Sequence, residues 1–265
     1  MELVFHPSFL EHDTGEHPEN PERVRWVLNE KYVLPENGEK YLTLAHSQQY
    51  VRKVKDACKL KLPLDPDTPT SPKSYEAACY AVGASVKASE IKGFAVVRPP
   101  GHHAPFGGFC LFNNMAITAL NLARQNKRVL IVDWDAHHGN GTQSIVMGNP
   151  KITYFSTHQS PFYPGTGLGS VKNCVNLPLP PGTNDKNYIK LIDEILAPLL
   201  GSFHPDIVGV SAGFDSMKGD PLAQLELTER SYLHVCKLLR EYPCFFLLEG
   251  GYVPVSYTHL RAHET

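Results

Sequence analysis

The chain has 265 residues, of which 42% are hydrophobic and 20% charged, with a formal net charge of -2 and a pI near 6.7. These values fit one large globular domain and exclude both a basic nucleic-acid binder and a highly charged disordered chain. No apolar span is long enough to cross a bilayer, and the N-terminus lacks a signal-peptide pattern, so we expect a cytoplasmic protein with no membrane partner. The six cysteines are scattered, which predicts reduced thiols rather than a disulfide framework.

Short apolar runs alternate with helical patterns along the chain. A helix is predicted after Asn20 and Pro21, apolar stripes of helical spacing occupy 75–86 and 188–199, and Thr228 caps a last helix. The alternation predicts an α/β domain with a mostly parallel central sheet and helices on both faces. The predicted strands are 94–97, 128–135, 152–157, 174–179, 207–212 and 244–249.

Polar motifs follow four of these predicted strands. RPPGHHAPFGGF follows the predicted strand 94–97, and DWDAHHGNGTQ begins at the end of 128–135. SAGFDSMKGDPL begins at the end of 207–212, and EGGY begins at the end of 244–249. In open parallel sheets, ligands bind outside the carboxyl ends of the strands. The four motifs therefore predict one functional site at that edge of the sheet.

The spacing of Asp135 and His137 indicates a metal site. Residues two apart on an extended segment project the same way, and Asp215 from another strand end supplies a third ligand. Three protein ligands leave one position open, which is the catalytic arrangement of zinc, although Fe²⁺ or Co²⁺ would also be accepted. In the alternative, Asp135 only caps the following segment and His137 is a core histidine.

His102 and His103 suit a general base and an electrostatic or acid partner, and otherwise would only pack a loop. An imidazole bonded to a carboxylate is more basic than one bonded to an amide, and the chain offers both partners in Asp133 and Asn140. Asp133 would tie backbone amides, orient a histidine or bind a monovalent cation.

Tyr252 follows two glycines, which allow a close approach of the backbone to a ligand. Its phenol would donate a hydrogen bond to an oxyanion opposite the metal, and a core tyrosine is the alternative.

Together, RPPGHHA, GGFCLFNN, DWDAHHGNGTQ, FYPGTG, SAGFDSMKGDPL and EGGY resemble the zinc-dependent histone deacetylase family. The resemblance runs from HPENPER at 17–23 to Tyr252. Asn140, where the other main branch has an aspartate, is similar to the class II-like branch, which includes bacterial amidohydrolases and acetylpolyamine deacetylases. The family implies a three-layer, arginase-like α/β fold for a catalytic domain at 1–252. The segment 253–265 departs from the family pattern, so we expect an incomplete domain followed by an atypical tail.

The resemblance also implies roles for individual residues. Zinc would bind Asp135, His137 and Asp215, His102 would pair with Asp133, and His103, paired with Asn140, would be the general base. Tyr252 would polarise the acyl carbonyl. The tunnel for the substrate would have Gly108 at its floor, Phe109 and Tyr163 as walls and Leu222 near its rim. A structural K⁺ would bind Asp133, Asp135, His137, Ser156 and Thr157.

The activity implied by the family is metal-dependent removal of an acetyl group from an amine such as acetyl-lysine. An acetylpolyamine or another small amide is the alternative substrate, although Leu222 stands where polyamine-selective members carry an acidic gate. A binuclear ureohydrolase would need an aspartate where this chain has Gly139. A non-catalytic module that binds acylated amines is the remaining alternative, and the oligomeric state is not predicted.

Overall fold

A computed structural model describes residues 1–252, so the prediction about 253–265 lies outside the described residues. The described chain contains an eight-stranded sheet in the order β2-β1-β3-β8-β7-β4-β5-β6, and every neighbouring pair is parallel. The predicted parallel sheet is therefore confirmed. The strands are β1 Leu3–Val4, β2 Tyr32–Val33, β3 Phe94–Ala95, β4 Val129–Asp133, β5 Ile152–Gln159, β6 Cys174–Leu179, β7 Ile207–Ala212 and β8 Cys244–Leu248.

All six predicted strands are present, with ends that differ from the prediction by at most two residues. Every residue of β4, β5 and β7 is buried, which explains why β4 and β7 are almost continuously apolar, whereas β5 ends in four buried polar residues, 156–159. The strands β1 and β2 were not predicted, because two residues cannot show an alternating pattern.

The helices lie between the strands. The first helix begins at Glu22, after Pro21 at its N-cap position, and Asn20 Oδ1 accepts the N–H of Glu22 at 3.0 Å. The side chain of Thr228 accepts the N–H of Arg230 and caps the last helix. The predicted stripe at 188–199 forms two helices joined by a π-helical turn, Ile192–Leu196. The helices are α1 Glu22–Arg25, α2 Gln48–Leu60, α3 Ser74–Ile91, α4 Asn114–Arg124, α5 Asn140–Val146, α6 Asp185–Leu191, α7 Ala197–Phe203 and α8 Glu229–Leu239.

Helices cover both faces of the sheet, as predicted. A Cβ on Gly209 of β7 would lie 2.8 Å from Sδ of Met115, so this face of the sheet lies against α4. Gly209 is paired with Phe245 of β8, and the next residue, Phe246, points to the opposite face of the sheet. There the ring of Phe246 lies 6.2 Å from that of Trp134, which in turn lies 5.6 Å from the ring of Tyr232 in α8.

The order of the strands brings the four polar motifs together. The strands β3, β8, β7 and β4 are consecutive neighbours, so their carboxyl ends form one continuous edge. The segments that leave this edge contain 98–109, 249–252, 211–222 and 133–143, respectively. None of the helices within residues 1–252 is long and apolar enough to cross a membrane.

Candidate active site

The three predicted metal ligands meet at the sheet edge. One ligand atom from each of Asp135, His137 and Asp215 lies within 4.8 Å of the others, and both carboxylates are fully buried. His137 Nδ1 lies 3.1 Å from Oδ1 of Asp135 and 2.8 Å from Oδ2 of Asp215. The N–H groups of Gly250 and Ala136 donate to the two carboxylates at 2.8 and 2.7 Å and fix their orientation.

The electrostatics of these three groups fit a divalent cation. Burial raises the pKa of Asp215 to about 7, together with the charge of Asp135. Burial lowers the pKa of His137, but hydrogen bonds to both carboxylates outweigh it and raise that pKa to about 10. The protein thus holds a positive charge between two buried carboxylates. A divalent ion in place of the imidazolium proton would neutralise both carboxylates and bind a set of one nitrogen and two oxygens that suits zinc.

Small residues leave room for this arrangement. A Cβ on Gly213 would collide with the carboxylate of Asp135, and one on Gly250 would lie 2.5 Å from Oδ2 of Asp215. A Cβ on Gly139 would lie 2.5 Å from both Oδ2 of Asp133 and the hydroxyl of Tyr154. The position at which a binuclear site would need a further aspartate therefore has no space for a side chain.

The adjacent histidines have different partners, as the sequence predicted. His102 Nδ1 lies 3.2 Å from Oδ2 of Asp133, and His103 Nδ1 lies 2.8 Å from Oδ1 of Asn140. Burial lowers the pKa of His102, but the charges of Asp135 and Asp133 outweigh it and raise that pKa well above its usual value. Burial and the neighbouring imidazoles lower the pKa of His103 far below its usual value. One imidazole is thus held charged and the other neutral, only 4.1 Å apart between ring centroids.

Sequence reasoning missed a buried carboxylate that holds the histidine loop. Oε2 of Glu249 accepts the N–H groups of Gly101 and His102 at 2.7 and 3.2 Å, and Oε1 accepts the hydroxyl of Ser211 at 3.0 Å. Glu249 is fully buried at the end of β8. Its signal in the sequence was the same as that of Asp133, a carboxylate directly after an apolar strand.

His102, His103 and two of the metal ligands, Asp135 and His137, line a cavity of about 460 Å³. All four residues predicted to form the tunnel line it, and Phe162, which was not predicted, stacks on His137 with 4.7 Å between ring centroids. Phe109 has a φ of 68°, and a Cβ on Gly108 would lie 2.5 Å from the His103 ring. The lining comprises His17, Pro18, Asp67, Pro100, His102, His103, Gly108, Phe109, Asp135, His137, Phe162, Tyr163, Leu222, Gly250 and Tyr252.

Tyr252 lies in the same lining, with its ring centroid 6.1 Å from that of Phe109. Its N–H donates to Oδ2 of Asp220 at 3.0 Å, and the guanidinium of Arg23 lies 4.9 Å from its ring centroid. Burial raises the pKa of the phenol well above its usual value, so the hydroxyl keeps its proton and can donate a hydrogen bond.

The predicted potassium ligands share one neighbourhood, but their coordination stays a prediction. Asp133 of β4 is paired in register with Ser156 of β5. The hydroxyls of Ser156 and Thr157 interact with His158 Nδ1 at 2.9 Å and with the Tyr188 hydroxyl at 3.2 Å.

The sheet and the buried site at its edge define an α/β protein of the arginase and deacetylase type. The Histone deacetylase domain family matches residues 17–265, so the chain belongs to that family. A probable deacetylase of Archaeoglobus fulgidus is 37% identical over 289 aligned positions, which cover 94% of this chain and 80% of that protein. Histone deacetylase 15 of Arabidopsis thaliana is 36% identical over 94% of this chain and 52% of its own length. The crystal structure of the HDA15 HD domain superimposes with a TM-score of 0.90 at 33% identity, over 99% of this chain and 89% of that one.

Membership of this family supports hydrolytic deacetylation of an acetylated substrate. The zinc ion, the acetyl-lysine substrate and the cytoplasmic location stay predictions.

Proposed function

We propose that this chain hydrolyses the amide bond of an acetylated lysine side chain, with one Zn²⁺ held by Asp135, His137 and Asp215. The observation that carries the proposal is the common cavity that Asp135 and His137 line together with His102, His103 and Tyr252. Asp215 lies behind this lining, with its Oδ2 2.8 Å from Nδ1 of His137. A bound Zn²⁺ supplies Lewis-acid chemistry, which polarises the carbonyl and lowers the pKa of water.

His103 is the general base in this proposal. The amide oxygen of Asn140 accepts from Nδ1, so Nδ1 carries the proton of the neutral ring and Nε2 is free to accept one. The low pKa of His103 keeps the ring neutral before reaction. Nε2 then takes the proton of the attacking water and returns it to the leaving amine nitrogen.

His102 and Tyr252 stabilise charge. His102 stays protonated beside Asp133 and lowers the energy of negative charge that develops next to it. The hydroxyl of Tyr252 donates to the carbonyl oxygen as that oxygen becomes an oxyanion. The products are a free amine and acetate.

The walls of the cavity favour a linear apolar stem. The rings of Phe109 and Tyr163 would flank the methylenes of acyl-lysine, and Leu222 at the rim offers no charge to a distal ammonium. Asp67 lines the same cavity and is the observation that favours an acetylpolyamine as second candidate, because its carboxylate would attract a cationic chain.

A substrate panel tests the proposal. Acetyl-lysine peptides, acetylspermidine and small acetylated amines would be incubated with the zinc-loaded chain in K⁺ buffer, and released acetate would be measured. We expect the highest kcat/KM on the peptides, and His103→Ala should lower the rate of release by about 10²–10⁴ while the zinc content stays unchanged. Absence of release from the whole panel at full zinc occupancy would contradict the proposal, and faster turnover of acetylspermidine would select the second candidate.

A further inference from the structure

The segment HPENPER at 17–23 has no role in the proposed chemistry, yet its Glu19 is completely buried. Its carboxylate lies between two guanidinium groups. Arg98 donates from Nε to Oε1 and from Nη2 to Oε2, the latter at 2.8 Å, and Arg23 donates from Nη1 to Oε1 at 3.1 Å. His12 Nε2 lies 3.6 Å from Oε2 on the remaining side. A buried carboxylate with two arginines is held by strong charge-assisted hydrogen bonds.

Arg98 connects Glu19 to the rigid part of the fold. Its side chain is fully buried and also donates to the carbonyl oxygens of Phe9 and His12 at 2.7 and 3.1 Å. These contacts leave the Arg98 guanidinium little freedom to move, so it fixes the position of the Glu19 carboxylate.

Arg23 connects Glu19 to the candidate oxyanion donor. Its Nη2 donates to the carbonyl oxygen of Glu249 at 2.6 Å, and its Nε donates to that of Gly251 at 2.8 Å. The same guanidinium lies 4.9 Å from the ring centroid of Tyr252. Arg23 therefore holds the backbone on both sides of Gly250 and supports one face of the phenol ring.

We propose that Glu19 is a positioning residue for Tyr252, which it holds in place through the guanidinium of Arg23. The inference rests on the proposed function, because it takes Tyr252 as the donor to the oxyanion. A donor contributes most when it is oriented before the reaction. The two glycines that precede Tyr252 add little stiffness, so the orientation of the phenol depends on contacts from outside its own loop.

This role differs from that of an ion pair that only stabilises the fold. A purely structural Glu19 would affect turnover whether or not Tyr252 has a hydroxyl. A positioning Glu19 loses its effect once that hydroxyl is gone, and its removal cannot cost more than the loss of the hydroxyl itself, about 10²–10³ in rate.

A double-mutant cycle with Glu19→Gln and Tyr252→Phe separates the two roles. Glutamine has the same shape, but it is neutral and turns an amide N–H toward a guanidinium. With Tyr252 present, we expect Glu19→Gln to lower kcat on an acetyl-lysine peptide by about tenfold or more, with KM changed less than about threefold. In the Tyr252→Phe background, the same substitution should change kcat by less than about threefold. Equal losses in both backgrounds, or no loss in either, would overturn the proposal.

Asp185→Asn provides a matched control. Asp185 accepts hydrogen bonds from the N–H and hydroxyl of Thr228 and from the hydroxyl of Ser231, and it does not line the cavity. We expect this variant to keep the kcat of the unmodified chain. Removal of one partner from a buried ion pair is strongly destabilising. Should Glu19→Gln not fold, Glu19→Asp, which keeps the charge on a shorter side chain, enters the same cycle with the same expected difference between backgrounds.

A measurement without turnover separates this inference from the proposed function. The chain is labelled with 3-fluorotyrosine, and the ¹⁹F resonance of Tyr252 is assigned by its loss in Tyr252→Phe. We expect Glu19→Gln to shift or broaden this resonance in the absence of substrate, and Asp185→Asn to leave it unchanged. An unchanged Tyr252 resonance in Glu19→Gln would overturn the positioning role. A responsive resonance in a chain that hydrolyses no acylated amine would support the Glu19–Arg23–Tyr252 connection and overturn the proposed function instead.

Discussion

Nδ1 of His103 lies 2.8 Å from Oδ1 of Asn140, a neutral acceptor, and this contact determines which ring nitrogen is available to a substrate. The neighbouring His102 bonds a carboxylate instead, at 3.2 Å. The two adjacent imidazoles thus differ in protonation. The charges of Asp135 and Asp133 keep His102 protonated, whereas burial and the neighbouring imidazoles keep His103 neutral.

The histidines should differ in their effect on turnover. His103→Ala removes the proposed base and should lower kcat by about 10²–10⁴, the usual effect of losing general acid–base catalysis. His102→Ala should cost less, because His102 acts on the reaction by charge alone. Steady-state kinetics at constant zinc occupancy would measure both, and equal losses or the reverse order would contradict the assigned roles.

Asn140→Asp tests the contact between His103 and Asn140 by changing the acceptor. A carboxylate beside Nδ1 favours the protonated imidazole, so the pKa of His103 should rise. The acid limb of the pH profile of kcat/KM should then move to higher pH, since the base is active only when neutral. Asn140→Ser, which keeps a neutral acceptor, is the control and should leave the limb in place. A profile that stays unchanged in Asn140→Asp would argue against His103 as the base.

Metal content provides an independent test of the site. Asp215→Asn removes one anionic ligand and should abolish tight binding, so that the purified chain holds much less than one divalent ion. The unmodified chain and Asp185→Asn should each hold one. Elemental analysis would measure this, and two transition ions per chain would contradict a mononuclear site.

Much of this site was predictable because its residues cluster in motifs at strand ends. The proximity of Asp135, His137 and Asp215 was predictable from their local spacing and from the edge that parallel strands share. The roles of Glu249 and Glu19 were not predicted, because most of their partners, with the exception of Arg23, are distant in the sequence. The Arg98 that binds Glu19 is 79 residues away, and the backbone that Glu249 holds is 148 residues away. The periodicity of apolar residues does not reveal contacts between residues that are so far apart in the sequence.

The fold was predictable to a similar degree. Buried strands such as β4 are predicted from their apolar runs, whereas Leu3–Val4 and Tyr32–Val33 have only two residues each and show no pattern in the sequence. The helix α5 begins at Asn140, within the site motif itself. The sequence pattern there indicates a functional site, and it does not predict a helix. Predictions from periodicity fail where an element is very short or where its residues also serve the site.

Glu249 should contribute through its hydrogen bonds. Glu249→Gln can still accept from Gly101 and His102 and donate to the Ser211 hydroxyl, so it should retain most of the stability. Glu249→Ala leaves two buried N–H groups without their acceptor, at about 1–3 kcal/mol each. Urea unfolding would measure the difference, and a kcat that falls in the alanine variant but recovers in the glutamine variant would support positioning of the histidine loop. Equal free energies of unfolding for the two variants would contradict a stabilising role of the hydrogen bonds to Glu249.

His46 should make the fold sensitive to acid. Its Nε2 accepts the N–H of Asn113 at 2.9 Å, and burial lowers its pKa to about 4. The unfolded chain binds a proton near pH 6.5, so the contribution of His46 to stability is complete above that pH. It is lost as the pH falls toward 4, and about 2–3 kcal/mol should be gone at pH 4.5.

His46→Gln isolates this effect, because glutamine can accept the same N–H but does not titrate. Other groups also change protonation, so the informative quantity is the difference between the two chains. The unfolding free energy of the unmodified chain should drop further between pH 7 and pH 4.5 than that of the variant. If the unfolding free energies of the two chains fell by the same amount between pH 7 and pH 4.5, the titration of His46 would not contribute to the acid sensitivity of the fold.

Leu222 should control selection between peptides and polyamines. It lines the cavity, and we place it at the rim, where a carboxylate would attract the distal ammonium of an acetylpolyamine. Leu222→Glu should therefore raise the ratio of kcat/KM on acetylspermidine to that on an acetyl-lysine peptide. Leu222→Gln has nearly the same shape without the charge and should leave the ratio close to that of the unmodified chain. Because exposed charges are screened over about 10 Å at 0.1 M salt, the gain in Leu222→Glu should be largest at low ionic strength and shrink as salt is added. A ratio that is the same in both variants at low salt would contradict the position of Leu222 at the rim.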